Sequence, residues 1–314
     1  MKFSVHIPVS EIAPGEFQNM DAINEIGKYM DRSKIDACYV TDHPAPSSKW
    51  LHAGGAGHDA LDPFTSLAFI AAVTNRILLH TYIIVMPYRN PFITAKAAAT
   101  LQILSGGRLI LGTGGGYQKA EFEALGVDFH KRGALFDEAL QAIQAAWAGG
   151  PVEFEGMNFK AIEVEPRPVP NPKPPIWVGG ASDKAVERAA RWGDGWVPVF
   201  TAPKLTKANR DTFIQSTEQL RAKIVKLKAL RASLGKAAPF DIAIGPQQDP
   251  FPATRQTADR YIDCLHELAD AGVTWAVLDL PHPSRQAYIE NLQWFDEEVI
   301  SHFDSGRASN EVSA

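Results

Sequence analysis

The sequence has 314 residues, 45% of them hydrophobic, a formal net charge of -5 and two cysteines, so it is long enough for one large barrel or two ordinary domains. Its balanced charge argues against broad attraction to nucleic acid or an anionic membrane, while leaving a local anion site open. Cys38 and Cys264 make neither a metal pair nor a disulfide framework, the opening MKFSVHIPVSEIAPG has no apolar signal core, and no run resembles a membrane span. A cytoplasmic protein acting on a small molecule is the expectation.

FSVHIPV (3–9) reads as a first strand and INEIGKYM (23–30) as an amphipathic helix, with ACYVTDH (37–43) as a second strand ending on Asp42 and His43. Residues 44–62 are rich in Pro, Gly and Ser and long for an ordinary connection, which predicts an active-site excursion or lid. DPFTSLAFIAAVT (62–74) returns to helix, with Asp62 as cap and Pro63 in the first turn. RILLHTYIIV (76–85) is the third strand and NPFITAKAAATLQIL (90–104) its helix. RLILGTG (108–114) is the fourth strand, followed by helical KAEFEALG and RGALFDEALQAIQAAWAGG.

A second excursion spans 148–175, where EFEGMNFKAIEV suits a small hairpin and the prolines lead the chain back. PIWVGG, DGWVPVF, FDIAIG and VTWAVLDL supply strands five to eight. Their helices are SDKAVERAARWG, a long stretch from Leu205 to Leu234, TADRYIDCLHELADAG and SRQAYIENLQWFDEEVI. Eight alternating units predict an α/β fold, a (β/α)8 TIM barrel spanning residues 1–314 as a single domain, with extended loops after strands 2 and 4. In such a barrel the carboxyl ends of the strands bring TDH, the end of HTYIIVMPYRNP, GTGGGYQ and VGGASD to one mouth.

His43 at a strand end suits proton exchange near neutral pH, with Asp42 orienting a cofactor edge, against the alternative of a purely structural histidine. LGTGGGYQ lacks a complete dinucleotide or P-loop fingerprint, so its glycines suit either a tight turn or a phosphate. In VGGASD, amides near Gly180 and the Ser182 hydroxyl can meet a phosphate at a helix entrance, or Ser182 can simply cap it. Tyr82, Ile83 and Tyr117 are candidate walls of a planar-ligand pocket, and equally ordinary barrel packing. His6 and His80 are expected near the mouth and His58 on the excursion. With no HExxH motif and no Cys/His array, no metal is expected.

The blocks HTYIIVMPYRNPFITAKAAATLQILSGGRLILGTGGGYQKAEFEALG, KRGALFDEAL and PPIWVGGASDKAVERAARWGDGWVP resemble the bacterial luciferase-like flavin oxidoreductase superfamily, in particular its coenzyme F420-dependent branch. The resemblance implies that Thr41-Asp42-His43 reaches the deazaflavin and that Tyr82-Ile83 forms a non-prolyl cis bulge behind the ring. It further implies that Gly115 and Gly116 line the cofactor tail, and that Gly179, Gly180 and Ser182 hold its phosphate. Arg132 is a family-like position serving a barrel salt bridge or the cofactor, and a homodimer is a family habit.

The sequence departs from the family's sugar-phosphate dehydrogenases at two places: Ser47 stands where a tryptophan is expected four residues after the histidine, and Tyr117 where the loop glutamate is expected. The expected activity is therefore F420-dependent hydride transfer to or from deazaflavin C5, with His43 as acid/base and the substrate open. The alternatives are an FMN-dependent monooxygenase and a noncatalytic metabolite-binding barrel.

Overall fold

The computed structural model describes residues 1–9, 15–52, 59–200 and 213–303. Its strands are β1 (Lys2–His6), β2 (Ala37–Val40), β3 (Leu78–Thr81), β4 (Ile84–Val85), β5 (Leu109–Gly114), β6 (Val152–Glu155), β7 (Lys160–Val164), β8 (Ile176–Gly179), β9 (Gly195–Val197), β10 (Asp241–Ile244) and β11 (Trp275–Leu278). Neighbours run β1, β2, β3, β5, β8, β9, β10, β11, all parallel, and β11 pairs back onto β1 through Phe3↔Ala276 and Ser4↔Val277. The ring is therefore closed. β4 continues β3 past an interruption, so the barrel has eight staves, as the alternation predicted.

Strand alternation divides the core in two. Outward residues such as Phe3, Val5, Cys38, Val40, Leu79, Leu111, Val178, Trp196 and Ile242 pack under the helices in one continuous apolar shell. Inward residues, among them Tyr39, Ile110, Trp177, Val197, Ala243, Trp275 and Val277, fill the barrel. The indole of Trp177 fits because Gly195 beside it has no side chain: a Cβ there would lie 2.4 Å from the ring.

The helices are α1 (Met20–Arg32), α2 (Ser48–His52), α3 (Pro63–Val73), α4 (Pro91–Leu104), α5 (Lys119–Ala124), α6 (Arg132–Ala146), α7 (Asp183–Trp192), α8 (Thr217–Ser233), α9 (Arg255–Ala271) and α10 (Arg285–Trp294), the last running into a π-helical turn, Phe295–Ile300. Asp62 caps α3 by accepting from Thr65 N, with Pro63 in the first turn. The helix expected from Leu205 starts later: Ser216 accepts from Gln219 N and caps α8, while Ile214 upstream bridges to Phe200 as extended chain. The capping hydroxyl, which α-helical periodicity alone does not weigh, sets that start. Residues 205–212 of that stretch lie outside the described residues.

At the amino-terminal end of the barrel, Arg76 donates to the carbonyls of Met30, Ser33 and Ile35. Asp31 accepts in return from the amides of Asn75, Arg76 and Ile77, which ties the end of α1 to the entrance of β3. Between α6 and β8, β6 and β7 pair antiparallel as a hairpin outside the barrel. No described helix is long and apolar enough to cross a membrane.

Candidate active site at the carboxyl ends of the strands

Past the end of β2 the chain leaves the sheet, and Asp42 and His43 turn to different partners. Asp42 is buried; its carboxylate accepts from Arg89 Nη2 at 2.8 Å and from the backbone amide of Val85 at 3.0 Å. It thereby holds the segment that follows β4. Thr41 Oγ1 beside it is buried with no hydrogen-bond partner among the described residues.

His43 points instead toward α5. Its Nδ1 lies 3.3 Å from both carboxylate oxygens of Glu121, a residue only 1% exposed. Tyr88 donates its hydroxyl to Glu121 at 2.8 Å, and the amide of Ala45 donates at 3.3 Å. Burial pushes the Glu121 carboxyl up, but the hydrogen bonds from His43 and Tyr88 outweigh it and hold the group below its ordinary range. An ionised carboxylate only accepts, so Nδ1 of His43 carries the hydrogen toward Glu121 and Nε2 is the basic nitrogen; the Gln118 amide nitrogen, also 3.3 Å from Nδ1, is then only a neighbour of that donor and not its partner. The Tyr117 hydroxyl lies 3.5 Å from that Nε2, on a ring that is 63% exposed.

The Trp50 ring lies 5.1 Å from the imidazole with 31° between planes. Ser47, which stands where a tryptophan was expected, accepts from the Trp50 amide at 3.2 Å and so starts α2, the short helix that brings this indole in. A tryptophan and a glutamate, the residue types expected at positions 47 and 117, thus lie beside His43 as Trp50 and Glu121. The signal for Glu121 was its place one turn beyond the glycines in YQKAEFEALG; no local pattern distinguished it from the neighbouring Glu123.

The Tyr82-Ile83 peptide is cis, and the register with β5 advances from His80↔Ile110 to Ile84↔Thr113, one extra residue on the β3–β4 side. This is a bulge, which re-aims the side chains at the mouth. A Cβ on Gly114 would lie 2.0 Å from Ile83 Cδ1, and one on Gly179 would lie 2.9 Å from it, so two bare positions make room for this one side chain. Tyr82 packs inward, its ring 4.7 Å from Tyr39 and 5.5 Å from His80, and burial pushes its hydroxyl up to about 12.

Gly116 has φ +72°, and a Cβ there would strike Val85 at 2.6 Å; neighbouring Gly115 would meet only Phe136, at an ordinary 3.7 Å. Gly180 has φ +110°, donates to Val197 O and accepts from Trp196 Nε1. Ser182 caps α7, accepting from Ala185 N at 3.2 Å. Arg132 begins α6, donates to Phe129 O and stacks 4.0 Å over the Phe129 ring, and it forms no salt bridge among the described residues. Its partner Phe129 touches Phe122, which in turn borders Gly116.

The other histidines separate. His80 is inside the barrel rather than at its mouth: it is fully buried, pairs with Ser4 Oγ through Nδ1, and burial depresses it to about 3, leaving it neutral. His6 stays near the mouth, 3.2 Å from Asp279. His58 lies outside the described residues, as does the 53–58 part of the excursion. A cavity of about 350 Å³ opens on the outer surface between α4, the end of α6 and the hairpin, sharing no residue with the positions above.

Against this geometry, residues 1–232 match the family model described as luciferase-like monooxygenase. The chain belongs to that family. It is 30% identical over 253 residues to an uncharacterised protein of Mycobacterium tuberculosis, covering 78% of this chain and 79% of that one. It is 36% identical over 171 residues to an F420-dependent glucose-6-phosphate dehydrogenase of Beutenbergia cavernae, covering 53% of this chain and 49% of that one. The crystal structure of a monooxygenase from Streptomyces bottropensis superposes with a TM-score of 0.78 at 20% identity, over 96% of this chain and 100% of that one. The luciferase-like barrel expected from sequence is therefore established, and this chain is an oxidoreductase.

Proposed function

We propose that this enzyme is a coenzyme F420-dependent oxidoreductase that transfers a hydride between deazaflavin C5 and a small organic substrate, with His43 as acid/base. The observation that carries the reading is His43 itself: an imidazole held through Nδ1 by a buried carboxylate, at the same strand ends as the glycine-cleared bulge. The similarity to an F420-dependent dehydrogenase supports the cofactor. So does the presence of Trp50 and Glu121 beside the histidine.

Tyr82 and Ile83 are proposed to back the ring, with Asp42 and Thr41 at its edge. Gly115, Gly116 and Tyr117 follow the tail, and Gly179, Gly180, Ser182 and Arg132 take the phosphate. The residues fit such a group: Gly114 and Gly179 let the Ile83 side chain seat against the barrel wall at the bulge, Thr41 keeps a buried hydroxyl to offer, and the α7 amino terminus favours an anion. When bound, the deazaflavin supplies a two-electron acceptor or donor. The chain does the rest. Nε2 of His43 takes the proton of a substrate hydroxyl in oxidation and returns it in reduction, while Glu121 holds the ring and stabilises its charged form. Trp50 covers the imidazole and limits water.

FMN-dependent monooxygenation is the second reading, favoured by the description of the matching family model. Titrating purified protein with F420 and with FMN, each oxidised and reduced, separates the two. F420 is expected to bind. Selective binding of FMN, with oxygen consumption coupled to an oxygenated product, overturns the first reading.

A further inference from the structure

We infer that His6, Asp279 and His282 form a binding site for a borderline divalent cation such as Zn²⁺ or Co²⁺ at the barrel mouth. β1 and β11 are neighbours, so their carboxyl ends place His6 beside Asp279, and His282 follows three residues later. His6 Nδ1 lies 3.2 Å and His282 Nδ1 3.7 Å from the same oxygen, Asp279 Oδ1. One candidate ligand atom from each residue lies within 4.8 Å of the other two. Metal–ligand bonds of about 2.0–2.2 Å put adjacent ligands roughly 3–3.6 Å apart, a spacing the His6–Asp279 pair already has, and His282, whose Nδ1 donates to Leu280 O, closes the triad by turning its Nε2 toward the ion.

The surroundings suit that role. His6 packs 5.1 Å from the Tyr39 ring, and His282 sits edge-on to Phe17 at 5.9 Å and Tyr288 at 6.1 Å, which fixes both imidazole planes. The Tyr288 hydroxyl donates to the His6 carbonyl and anchors that backbone. His282 Nδ1 is 2.8 Å from Leu280 O, the kind of backbone hydrogen bond that orients a ligating histidine through its other nitrogen. Asp279 is 58% exposed at its side chain and gives an ion access, while His6 is 6% exposed.

Two imidazoles and one carboxylate select Zn²⁺, Co²⁺, Ni²⁺ or Fe²⁺ over Mg²⁺ and Ca²⁺, and three protein ligands leave positions open for water or a substrate oxygen. The expectation of no metal rested on spacing along the chain; His6 and Asp279 are 273 residues apart and meet only when the barrel closes.

The competing arrangement is a plain hydrogen-bonded triad with no affinity for ions. Untagged full-length protein, stripped with chelator, is titrated with CoCl₂ by visible absorption and with ZnCl₂ by calorimetry. One ion per chain is expected. Asp279→Asn and His282→Gln, each checked for wild-type melting, are expected to weaken binding on the order of 10-fold or more. Absence of both the cobalt band and the zinc heat, or wild-type affinity in both variants, overturns the site. Binding is read without flavin or substrate, so this outcome is independent of the proposed redox activity.

Discussion

At the scale of single residues, the proposed acid/base chemistry turns on which nitrogen of His43 is basic, and the contact with Glu121 bears on that. His43→Ala should lower turnover by about 10²–10⁴-fold while leaving cofactor affinity close to wild type. Steady-state kinetics beside a binding titration checks the split, and equal losses in both would place His43 in cofactor binding instead. Glu121 also links the site to stability. Its folded carboxyl titrates below its unfolded value, so its contribution is complete above the unfolded range near 4.3 and fades as pH falls through the folded value. Glu121→Gln should therefore cost about 1–3 kcal/mol at pH 7. Urea unfolding from pH 7 downward should show the two proteins converging on the acid side of pH 4.3; a pH-independent gap would contradict the linkage.

Among the elements, the bulge and the hairpin each rest on one steric or polar device. Gly114→Ala puts a methyl 2.0 Å from Ile83 Cδ1 and should displace that side chain, weakening cofactor binding by about tenfold or more, since overpacking costs on the order of 1–3 kcal/mol. Because the clash is with a side chain, Ile83→Ala in the same background should restore part of the lost stability. A double-mutant cycle measures that coupling, and strict additivity would argue that the two groups do not touch. In the hairpin, Glu138 on α6 accepts from the amides of Asn158 and Phe159, at 2.9 and 2.8 Å, and from Asn158 Nδ2 at 2.7 Å. Glu138→Ala leaves these donors unpaired and should destabilise the protein by about 2–3 kcal/mol. Amide exchange should accelerate across residues 152–164, with the barrel strands little changed.

For the whole molecule, a ligand gripped by loops from β2, β4, β5 and β8 binds only the closed ring. F420 at about a hundred times its dissociation constant should therefore stabilise the fold by roughly 2.7 kcal/mol, and FMN at the same concentration by much less. Thermal melting with each cofactor tests this. A larger shift with FMN would favour the monooxygenase reading.

The sequence by itself determined the alternation of strands and helices, because periods of two and 3.6 residues and Asp-Pro or Asn-Pro helix entrances are local properties written into neighbouring residues. The same locality made Asp42, His43 and the glycines visible as strand-end positions. Only the tertiary structure decided what they face. Asp42 turns to Arg89 and the Val85 amide, His80 goes inward, Glu121 meets His43 from 78 residues away, and His6 meets Asp279 from 273 residues away. The physical reason is closure: parallel strands in a ring make neighbours of residues from opposite ends of the chain, and no local pattern encodes a contact of that separation.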